Sequence, residues 1–493
     1  MRKIGLILCV MLSFSKMWGQ KIFGEIPFDV KGYELAKVGY PSKMIPDGKG
    51  NFIFAEFWVS GNEGRRYTMH FAQCYDENLE EKWNRPAFNP LMNVDFTDIF
   101  RLDKSFVTVG TSYDAKSKKL AANAQFFRLD GKEIGNTVEI SNYAKSAPKG
   151  AENMYYVSPD SGKLGWFGYV PGDSYKSKYH FTVYSSSGQL LWSEKEMPLP
   201  YSEQKYIVKQ AGVDKKGNAI FLLTYYAPNS TADTVYKPYL VRYDYLQKKY
   251  SEVELKYYNG TACNVQFFIN SDNKIYVFGN TTMDKSGIPN GMEINGKEEF
   301  WDKILVAEID NNTQQLSTVR NAMFKLPDSF LQKYKSGSNF SKFEFYSVEG
   351  KLYWLMEESF TKKVDGKNIV NFNNIDIFQF DIAGFNLGWH TTIEKKQRNY
   401  ESGSFLSYFS TLYKGKLIFI YLSEMGSGGK VISNALDLTN GKATPYEIVF
   451  NNNGMYHIFA KKSCIFSDKF GVLIGPGDMS KANYKLIRLD FTK

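Results

Sequence analysis

Cysteine and histidine are scarce in this sequence, with four of each among 493 residues. No cysteine has a second cysteine or a histidine at metal-ligand spacing, so the sequence contains no zinc-site motif. Beyond the N-terminal segment three cysteines remain, Cys74, Cys263 and Cys464, and each lies within an apolar strand pattern. We therefore predict buried thiols, although an oxidising compartment would permit one disulfide among the three.

Long apolar runs are also missing after residue 19. Near the N-terminus, Arg2 and Lys3 precede an apolar run at residues 4–14, which is shorter than the ~20 residues of a membrane-spanning helix. This order of charge, short apolar core and small residue is typical of a secretory signal. We expect residues 1–19 to be removed before Gln20. The mature protein is then exported, to the periplasm or to the cell surface and exterior, without spanning the membrane.

The sequence has no block of charge of a single sign. Its formal net charge is +9, and its lysines are scattered singly or in pairs such as Lys118 and Lys119. A nucleic-acid-binding protein would concentrate its cations in a stripe or patch. The distribution therefore indicates a solvated surface and predicts no nucleic-acid partner.

Helical periodicity is nearly absent, and a repeat of strand patterns takes its place. In the fourth unit an apolar strand at 207–213 runs into a turn at 214–218, a second strand follows at 219–225, and a third at 239–243 ends on Asp244. Asp, Asn and Gly suit such turns because these positions need positive φ or a local side-chain hydrogen bond. Equivalent turns lie at 47–51, 103–105, 160–162, 214–218, 272–273, 349–350, 414–415 and 468–469. The only helical segment that the pattern indicates is a short turn at 328–333.

Four short antiparallel strands in each unit describe the blade of a propeller. We predict an all-β fold, an eight-bladed antiparallel β-propeller that forms a single domain at residues 20–493. The last unit supplies only three strands, and a strand pattern at 22–26 belongs to no other unit. We therefore expect the N-terminal strand to complete the last blade and close the ring, because an open ring would leave sheet edges in water. A seven-bladed ring with one degenerate unit, and two smaller propellers or sandwiches, are the alternatives.

The end of the third strand carries a further signature. In residues 183–192, with the sequence VYSSSGQLLW, a tryptophan follows the strand end, and Trp83, Trp192 and Trp389 occupy equivalent positions. This pattern resembles the blade signature of quinoprotein-type propellers. The resemblance implies eight blades docked by these tryptophans, in a superfamily that includes quinone-dependent enzymes and non-enzymatic envelope scaffolds. The enzymes' adjacent-cysteine disulfide and acidic calcium cluster are not recognisable here, so the resemblance points to the scaffold branch.

Motifs of catalysis are likewise missing. The sequence has no Gly-x-Ser-x-Gly elbow, no His-Glu-x-x-His motif and no phosphate-binding glycine loop. His70 and His180 lie in aromatic third strands and are predicted to be structural, whereas His457 begins an innermost strand and is best placed to face an axial channel. We predict no cofactor, no metal and no catalytic residue.

Two acid pairs leave an enzymatic alternative open. Glu357 and Glu358 follow a second strand, and Asp95 and Asp98 flank a first strand. Their carboxylates could converge on one face, as hydrolysis of a glycosidic bond requires. The alternative function is therefore a secreted polysaccharide hydrolase or lyase that acts at the axial channel with these acids and His457.

The loops that join second to third strands are the candidate binding face. They carry Arg65, Arg66, Tyr113 and Tyr175, and two of them are unusually long, at 280–299 and 357–371. Long loops without secondary structure are often functional. We predict an exported binding or scaffold module of the cell envelope that engages a protein partner or a glycan on this face. A broad apolar patch at the rim would favour a protein partner, and several acids converging with a histidine would favour the enzyme.

Overall fold

A computed structural model gives the fold of the protein. It describes residues 22–27, 35–38, 42–60, 67–89, 94–114, 116, 119–144, 152–170, 178–195, 197, 206–226, 236–255, 262–281, 303–328, 330, 339–364, 367–399, 407–422, 430–444, 447–451, 464–465, 470–478 and 483–490. The predicted signal segment lies outside these residues.

The described chain begins with β1 (Ile22–Pro27), and its strands pair into eight sheets. The first sheet contains β2 (Leu35–Val38), β3 (Ile45–Pro46), β4 (Phe52–Ser60), β5 (Tyr67–Tyr75) and β6 (Glu81–Pro86). The second contains β7 (Val94–Arg101), β8 (Ser105–Asp114), β9 (Lys119–Arg128) and β10 (Glu133–Ala144). The third contains β11 (Glu152–Val157), β12 (Lys163–Val170), β13 (Lys178–Ser185) and β14 (Leu190–Glu194). The fourth contains β15 (Tyr206–Val213), β16 (Ala219–Tyr226), β17 (Tyr236–Asp244) and β18 (Lys249–Glu254).

The remaining sheets follow in chain order. The fifth contains β19 (Ala262–Ile269), β20 (Ile275–Thr281), β21 (Lys303–Asp310) and β22 (Ser317–Lys325). The sixth contains β23 (Asn339–Val348), β24 (Lys351–Val364), β25 (Lys367–Asp381), β26 (Asn386–Ile393) and β27 (Gln397–Asn399). The seventh contains β28 (Tyr408–Tyr413), β29 (Lys416–Leu422), β30 (Lys430–Asp437) and β31 (Glu447–Asn451). The eighth contains β32 (Cys464–Ile465), β33 (Phe470–Asp478), β34 (Asn483–Asp490) and β1.

The predicted all-β antiparallel propeller fold is confirmed. Each blade is a meander in which consecutive strands are hydrogen-bonded neighbours, as in the order β11-β12-β13-β14. The predicted number of eight blades is corrected, because the fold is a seven-bladed propeller, the alternative that the sequence left open. The sheet β1-β34-β33-β32, built from both ends of the chain, is described through its strand pairing.

The N-terminal strand pairs where the sequence predicted. β1 lies antiparallel beside β34, with Ile22 opposite Leu489 and Ile26 opposite Leu486. The eighth sheet has the order β1-β34-β33-β32, so a strand from the start of the chain supplies the position that the last repeat lacks.

The chain divides into two compact units. One consists of Met1–Arg85, Thr361–Asn373 and Glu394–Lys493, and the other of Pro86–Phe360 and Asn374–Ile393. The single-domain organisation stays a prediction.

Turn chemistry explains where the strands begin and end. Asp214 accepts hydrogen bonds from the backbone N–H of Asn218 at 2.8 Å and from its side-chain amide at 3.0 Å. Gly217 has φ 92°, a conformation that costs a residue with a side chain more than it costs glycine. At 349–350 and 414–415 both turn residues have positive φ, as the two-residue hairpin turn of type I′ requires. The turns predicted at these positions are confirmed.

In the second unit, neighbouring sheets bury their apolar faces against each other. Each of four clusters draws its residues from two consecutive sheets. Representative pairs are Val107 with Trp166, Phe181 with Phe221, Leu240 with Val277, and Phe278 with Trp354. Because aromatic rings bury large areas, they contribute much of the stability of such contacts. The high aromatic content therefore serves packing between sheets at these positions.

Trp192 docks the third sheet to the fourth. Its indole N–H donates to the carbonyl oxygen of Gly217 at 2.8 Å, and its ring stacks on Tyr245 with 5.7 Å between centroids. Tryptophan was predicted to dock blades at this position. The resemblance to quinoprotein-type propellers itself stays a prediction.

The predicted helical turn is present at two described positions, Asp328 and Phe330, where the Phe330 N–H donates to the carbonyl oxygen of Pro327 at 2.9 Å. Among the described residues, no helix has the length and apolar character needed to cross a membrane.

Candidate functional site

The residues predicted to bind a ligand are scattered. Arg65, Arg66, Tyr175 and His457 lie outside the described residues, as does most of the loop predicted at 280–299. Asp95 lies in β7 and Tyr113 in β8. The strands are adjacent, and Asp95 pairs with Thr111, two positions from the tyrosine. Asp95 and Asp98 both lie inside β7 and do not flank a strand, because the strand extends from Val94 to Arg101.

The predicted acid pair Glu357 and Glu358 needs a correction. Both residues lie within β24 and do not follow it, and their exposed fractions are 0% and 8%. Successive side chains of a strand point to opposite faces of its sheet. The two carboxylates therefore do not converge on one face, as the enzymatic alternative had them do.

The long loop predicted at 357–371 is also corrected, because it is a hairpin. β24 continues to Val364 and β25 starts at Lys367, so only residues 365–366 separate the two strands. Those two residues are Asp and Gly, the dipeptide that most strongly favours a two-residue hairpin turn. The sequence therefore contains a local signal for this hairpin. With 14 and 15 residues, these are the longest strands described.

The hairpin acquires a third strand near its end. β27 pairs with β25, with Val370 opposite Asn399 and Phe372 opposite Gln397. We call the resulting structure, residues 361–373 and 394–399, the ribbon. All of it belongs to the first compact unit.

A buried hydrogen-bond network fixes β27 in place. Gln397 is 3% exposed, and its amide N–H donates to the carbonyl oxygen of Leu422 at 2.6 Å. Its side-chain oxygen accepts from the ammonium of Lys395 at 2.7 Å and from the backbone N–H of Ser407 at 2.9 Å. The Lys395 ammonium also lies 5.9 Å from the centre of the Phe372 ring. A buried amide whose oxygen and nitrogen both form hydrogen bonds is a rigid anchor, because each lost partner would leave a desolvated polar group.

The outer surface of the ribbon is polar and cationic. Thr361, Lys362 and Lys363 are exposed in succession, so both faces of β24 meet solvent at this level. Between β26 and β27, burial alternates, and Lys396 is exposed while its neighbours Lys395 and Gln397 are buried. In the described part of the chain, no carboxylate forms an ion pair with Lys362, Lys363 or Lys396. The sequence analysis did not single out these lysines, although Lys362 and Lys363 stand shortly before an Asp-Gly dipeptide.

Two of the histidines form buried hydrogen-bond centres. His180 accepts or donates to the hydroxyls of Ser141 at 2.8 Å, Ser193 at 3.0 Å and Thr182 at 3.0 Å. Burial, followed by the charge of Lys195, lowers the pKa of His180 to about 4. Ser141 lies on β10, so the neutral imidazole connects the second and third sheets. The structural role predicted for this histidine is confirmed.

His390 forms the second centre with a carboxylate. Its Nε2 lies 2.8 Å from Asp376 Oδ1, which also accepts from the Thr392 hydroxyl at 2.8 Å. The ring stacks on Phe378 with 4.6 Å between centroids. Asp376 is completely buried and the His390 side chain is 4% exposed. The pair resembles the orienting half of a catalytic triad, but this burial keeps it from an external substrate.

The described residues contain no group of three or more His, Cys, Asp and Glu side chains that could hold a metal ion. Cys74 is a free, buried thiol, and burial together with Asp47 and Asp76 raises its pKa to about 12. A thiol with so high a pKa is a poor nucleophile, since the thiolate is the reactive form.

Large apolar side chains are exposed at a few positions. Leu190 and Leu191 of β14 are 56% and 37% exposed, and Leu246 in the turn after β17 is 78% exposed. A bulge between Trp192 and Leu190 places both leucines of β14 at the surface. None of the exposed large apolar side chains of the described chain lies on the ribbon.

No family model matches the sequence, and no curated protein matches it. Several solved structures are similar in fold. The polysaccharide lyase Uly1 is 11% identical with a TM-score of 0.41, and the alignment covers 92% of this chain and 100% of that one. The β-propeller domain of the Trilobed protease from Pyrococcus furiosus is 13% identical with a TM-score of 0.36, covering 81% and 96%. Sqt1 from Chaetomium thermophilum, bound to the N-terminus of a ribosomal protein, is 10% identical with a TM-score of 0.40, covering 91% and 95%. Likeness at this level assigns no function to this chain.

Proposed function

We propose that this protein is an exported binding module of the cell envelope and that its ribbon contacts a glycan. The ribbon is the observation that supports this function. It extends a sheet by a hairpin and a third strand, and its base is held by the Gln397 network. Its exposed side chains are polar.

A rigid ribbon suits a binding site because the protein loses little conformational entropy when a ligand binds to it. The exposed Thr361 and the half-buried Asn373 offer a hydroxyl and an amide group, which can exchange hydrogen bonds with sugar hydroxyls. Protein interfaces, by contrast, centre on buried apolar and aromatic anchors. The ribbon's outer surface therefore favours a glycan over a protein partner.

Lysine footprinting tests this function on the unaltered protein. The mature chain would be acetylated with and without soluble polysaccharide from its native envelope, and modified lysines would be read by mass spectrometry. We expect protection of Lys362, Lys363 and Lys396. The exposed lysines Lys132, Lys248 and Lys249 are the internal controls and should stay reactive.

Two results would contradict the proposal. One is that no glycan fraction protects the ribbon lysines while a protein partner protects the edge around Leu190 and Leu246. The other is that the protein shortens the polysaccharide, measured as new reducing or unsaturated ends, which would favour the enzymatic alternative.

A further inference from the structure

The charge of the ribbon departs from that of the rest of the chain. Residues 361–373 and 394–399 contain six cations, Lys362, Lys363, Lys367, Lys395, Lys396 and Arg398, and two acids, Asp365 and Glu394, for a formal charge of +4. The whole chain of 493 residues carries +9. Nearly half of the net positive charge therefore lies in 19 residues.

Strand pairing distributes these cations over the ribbon. Lys362 and Lys363 lie on β24, Lys367 begins β25, and Arg398 lies on β27 opposite Asn371. Neighbouring strands are about 5 Å apart, so the two outer strands of the ribbon lie about 10 Å apart. Along one strand, side chains on the same face repeat every ~7 Å. Lys362 and Lys363 are successive residues of β24 and point to opposite faces, so the cations are spread over both faces of the ribbon, whereas a single anionic group would be held by a compact pocket.

Spread cations on a polar surface fit a linear polyanion. Such a ligand gains from several weak contacts at once and from the release of its counterions. Clusters of lysine and arginine are typical of patches that bind nucleic acid or heparin-like polysaccharide. Single-stranded nucleic acid would also need exposed aromatic rings for base stacking, and the exposed positions described on the ribbon are three lysines, Thr361 and Glu394.

We infer that the ligand of the ribbon is an anionic polysaccharide, one that carries carboxylate or sulfate groups along its chain. This inference rests on the proposed function and gives it a ligand class. Lys362 and Lys363 of β24 and Lys396, directly before β27, are the contacts with described side chains, and Lys367 and Arg398 occupy positions on β25 and β27.

Polysaccharides with one backbone and different charge provide the test. The mature protein would be titrated by biolayer interferometry with dextran, carboxymethyl-dextran and dextran sulfate at two salt concentrations. We expect the two anionic derivatives to bind at least about tenfold more tightly than dextran, and this preference to shrink as salt rises. The variant Lys362→Glu/Lys363→Glu/Lys396→Glu should lose about tenfold or more in affinity for the anionic forms.

A charge-matched variant separates the site from general electrostatics. Lys132→Glu/Lys248→Glu/Lys249→Glu changes the net charge equally at exposed positions outside the ribbon, and it should bind anionic dextrans nearly as the parent does. An equal loss of affinity for anionic dextrans in both variants would show that the ribbon is not the binding site. Equal binding of dextran and its anionic forms would overturn the ligand class but leave the proposed function standing. Failure to bind these dextrans together with absence of ribbon protection by any envelope polysaccharide would overturn both. Tighter binding of duplex DNA or polyglutamate would replace the polysaccharide with another polyanion.

Discussion

Buried polar residues connect neighbouring sheets of the second unit through short hydrogen bonds. Arg242 of β17 donates to the carbonyl oxygen of Asn311 at 2.9 Å, and the Asn311 amide donates to Asp214 at 3.1 Å. Within the fifth sheet, Glu308 accepts from Lys274 at 2.8 Å and from Arg320 Nε at 2.8 Å, and Arg320 also donates to the carbonyl oxygen of Ile382, which follows β25 of the sixth sheet. Burial raises the pKa of Glu308, but these two cations outweigh it and hold the pKa below its usual range. Each such residue stabilises the fold only while its partners remain.

His180 makes the stability of the fold depend on pH. Its pKa is about 4 in the folded protein and about 6.5 in an unfolded chain. Protonation therefore favours the unfolded chain, so the stability is complete above pH ~6.5 and is lost as the pH falls toward ~4. We predict that this residue lowers the free energy of unfolding by about 2 kcal/mol between pH ~7 and pH ~5.

Urea unfolding at the two pH values measures this effect. The variant His180→Gln is the comparison, because it removes the titrating group and keeps a side chain that can hydrogen-bond. It should be less stable at neutral pH and show a smaller difference between the two pH values. An identical pH difference in parent and variant would assign the effect to other groups.

The ribbon gains its third strand, β27, from a segment outside the four-stranded meander of the sixth sheet. Its strands are continuous with the sixth sheet, but β27 comes from the connection between the sixth and seventh sheets. Gln397 joins β27 to Leu422 of β29, 25 residues away. This buried amide therefore joins the β27 edge of the ribbon to the seventh sheet.

We predict that Gln397→Ala loosens the ribbon. The substitution removes one donor to Leu422 and one acceptor shared by Lys395 and Ser407, which should lower the free energy of unfolding by about 2 kcal/mol or more. Amide hydrogen exchange at 370–372 and 397–399 should accelerate relative to the rest of the chain. Lys396→Ala is the matched control, because its exposed side chain should change stability by less than about 0.5 kcal/mol. Unchanged exchange in Gln397→Ala would show that strand pairing alone holds the ribbon.

At the scale of the whole molecule, the two ends of the chain share one sheet. β1 covers the edge of β34, with Glu25 opposite Ile487 and Ile26 opposite Leu486. An uncovered edge presents unpaired N–H and C=O groups that can recruit other chains. The first strand therefore protects the last repeat from aggregation.

We predict that Glu25→Pro/Ile26→Pro lowers the melting temperature and promotes aggregation. Alternate residues of an antiparallel edge strand direct their N–H groups at the neighbour, so two consecutive prolines must remove one such donor. Melting followed by light scattering, with amide exchange at 483–490, measures the result. Glu25→Thr/Ile26→Val keeps both donors and should match the parent protein. A double-proline variant with the parent's melting temperature and exchange would mean that β1 contributes nothing to the eighth sheet.

The sequence alone determined the strands, their antiparallel order and the pairing of the first strand with the last. These features follow from alternating apolar residues and from Asp, Asn and Gly at turns, which act over a few neighbours in the chain. It also indicated a docking role for Trp192. Even the hairpin of β24 and β25 was encoded locally, by the Asp-Gly dipeptide between the two strands, and could have been predicted.

Tertiary structure decided the rest, because burial and side-chain partners depend on residues far apart in sequence. Ser141 reaches His180 across 39 residues, and Gln397 reaches Leu422 across 25. Glu357 and Glu358 look like surface acids in the sequence, and only the packed sheet buries them. For the same reason the cationic segments of the ribbon come together only after β27 has paired with β25, since no local pattern specifies that contact.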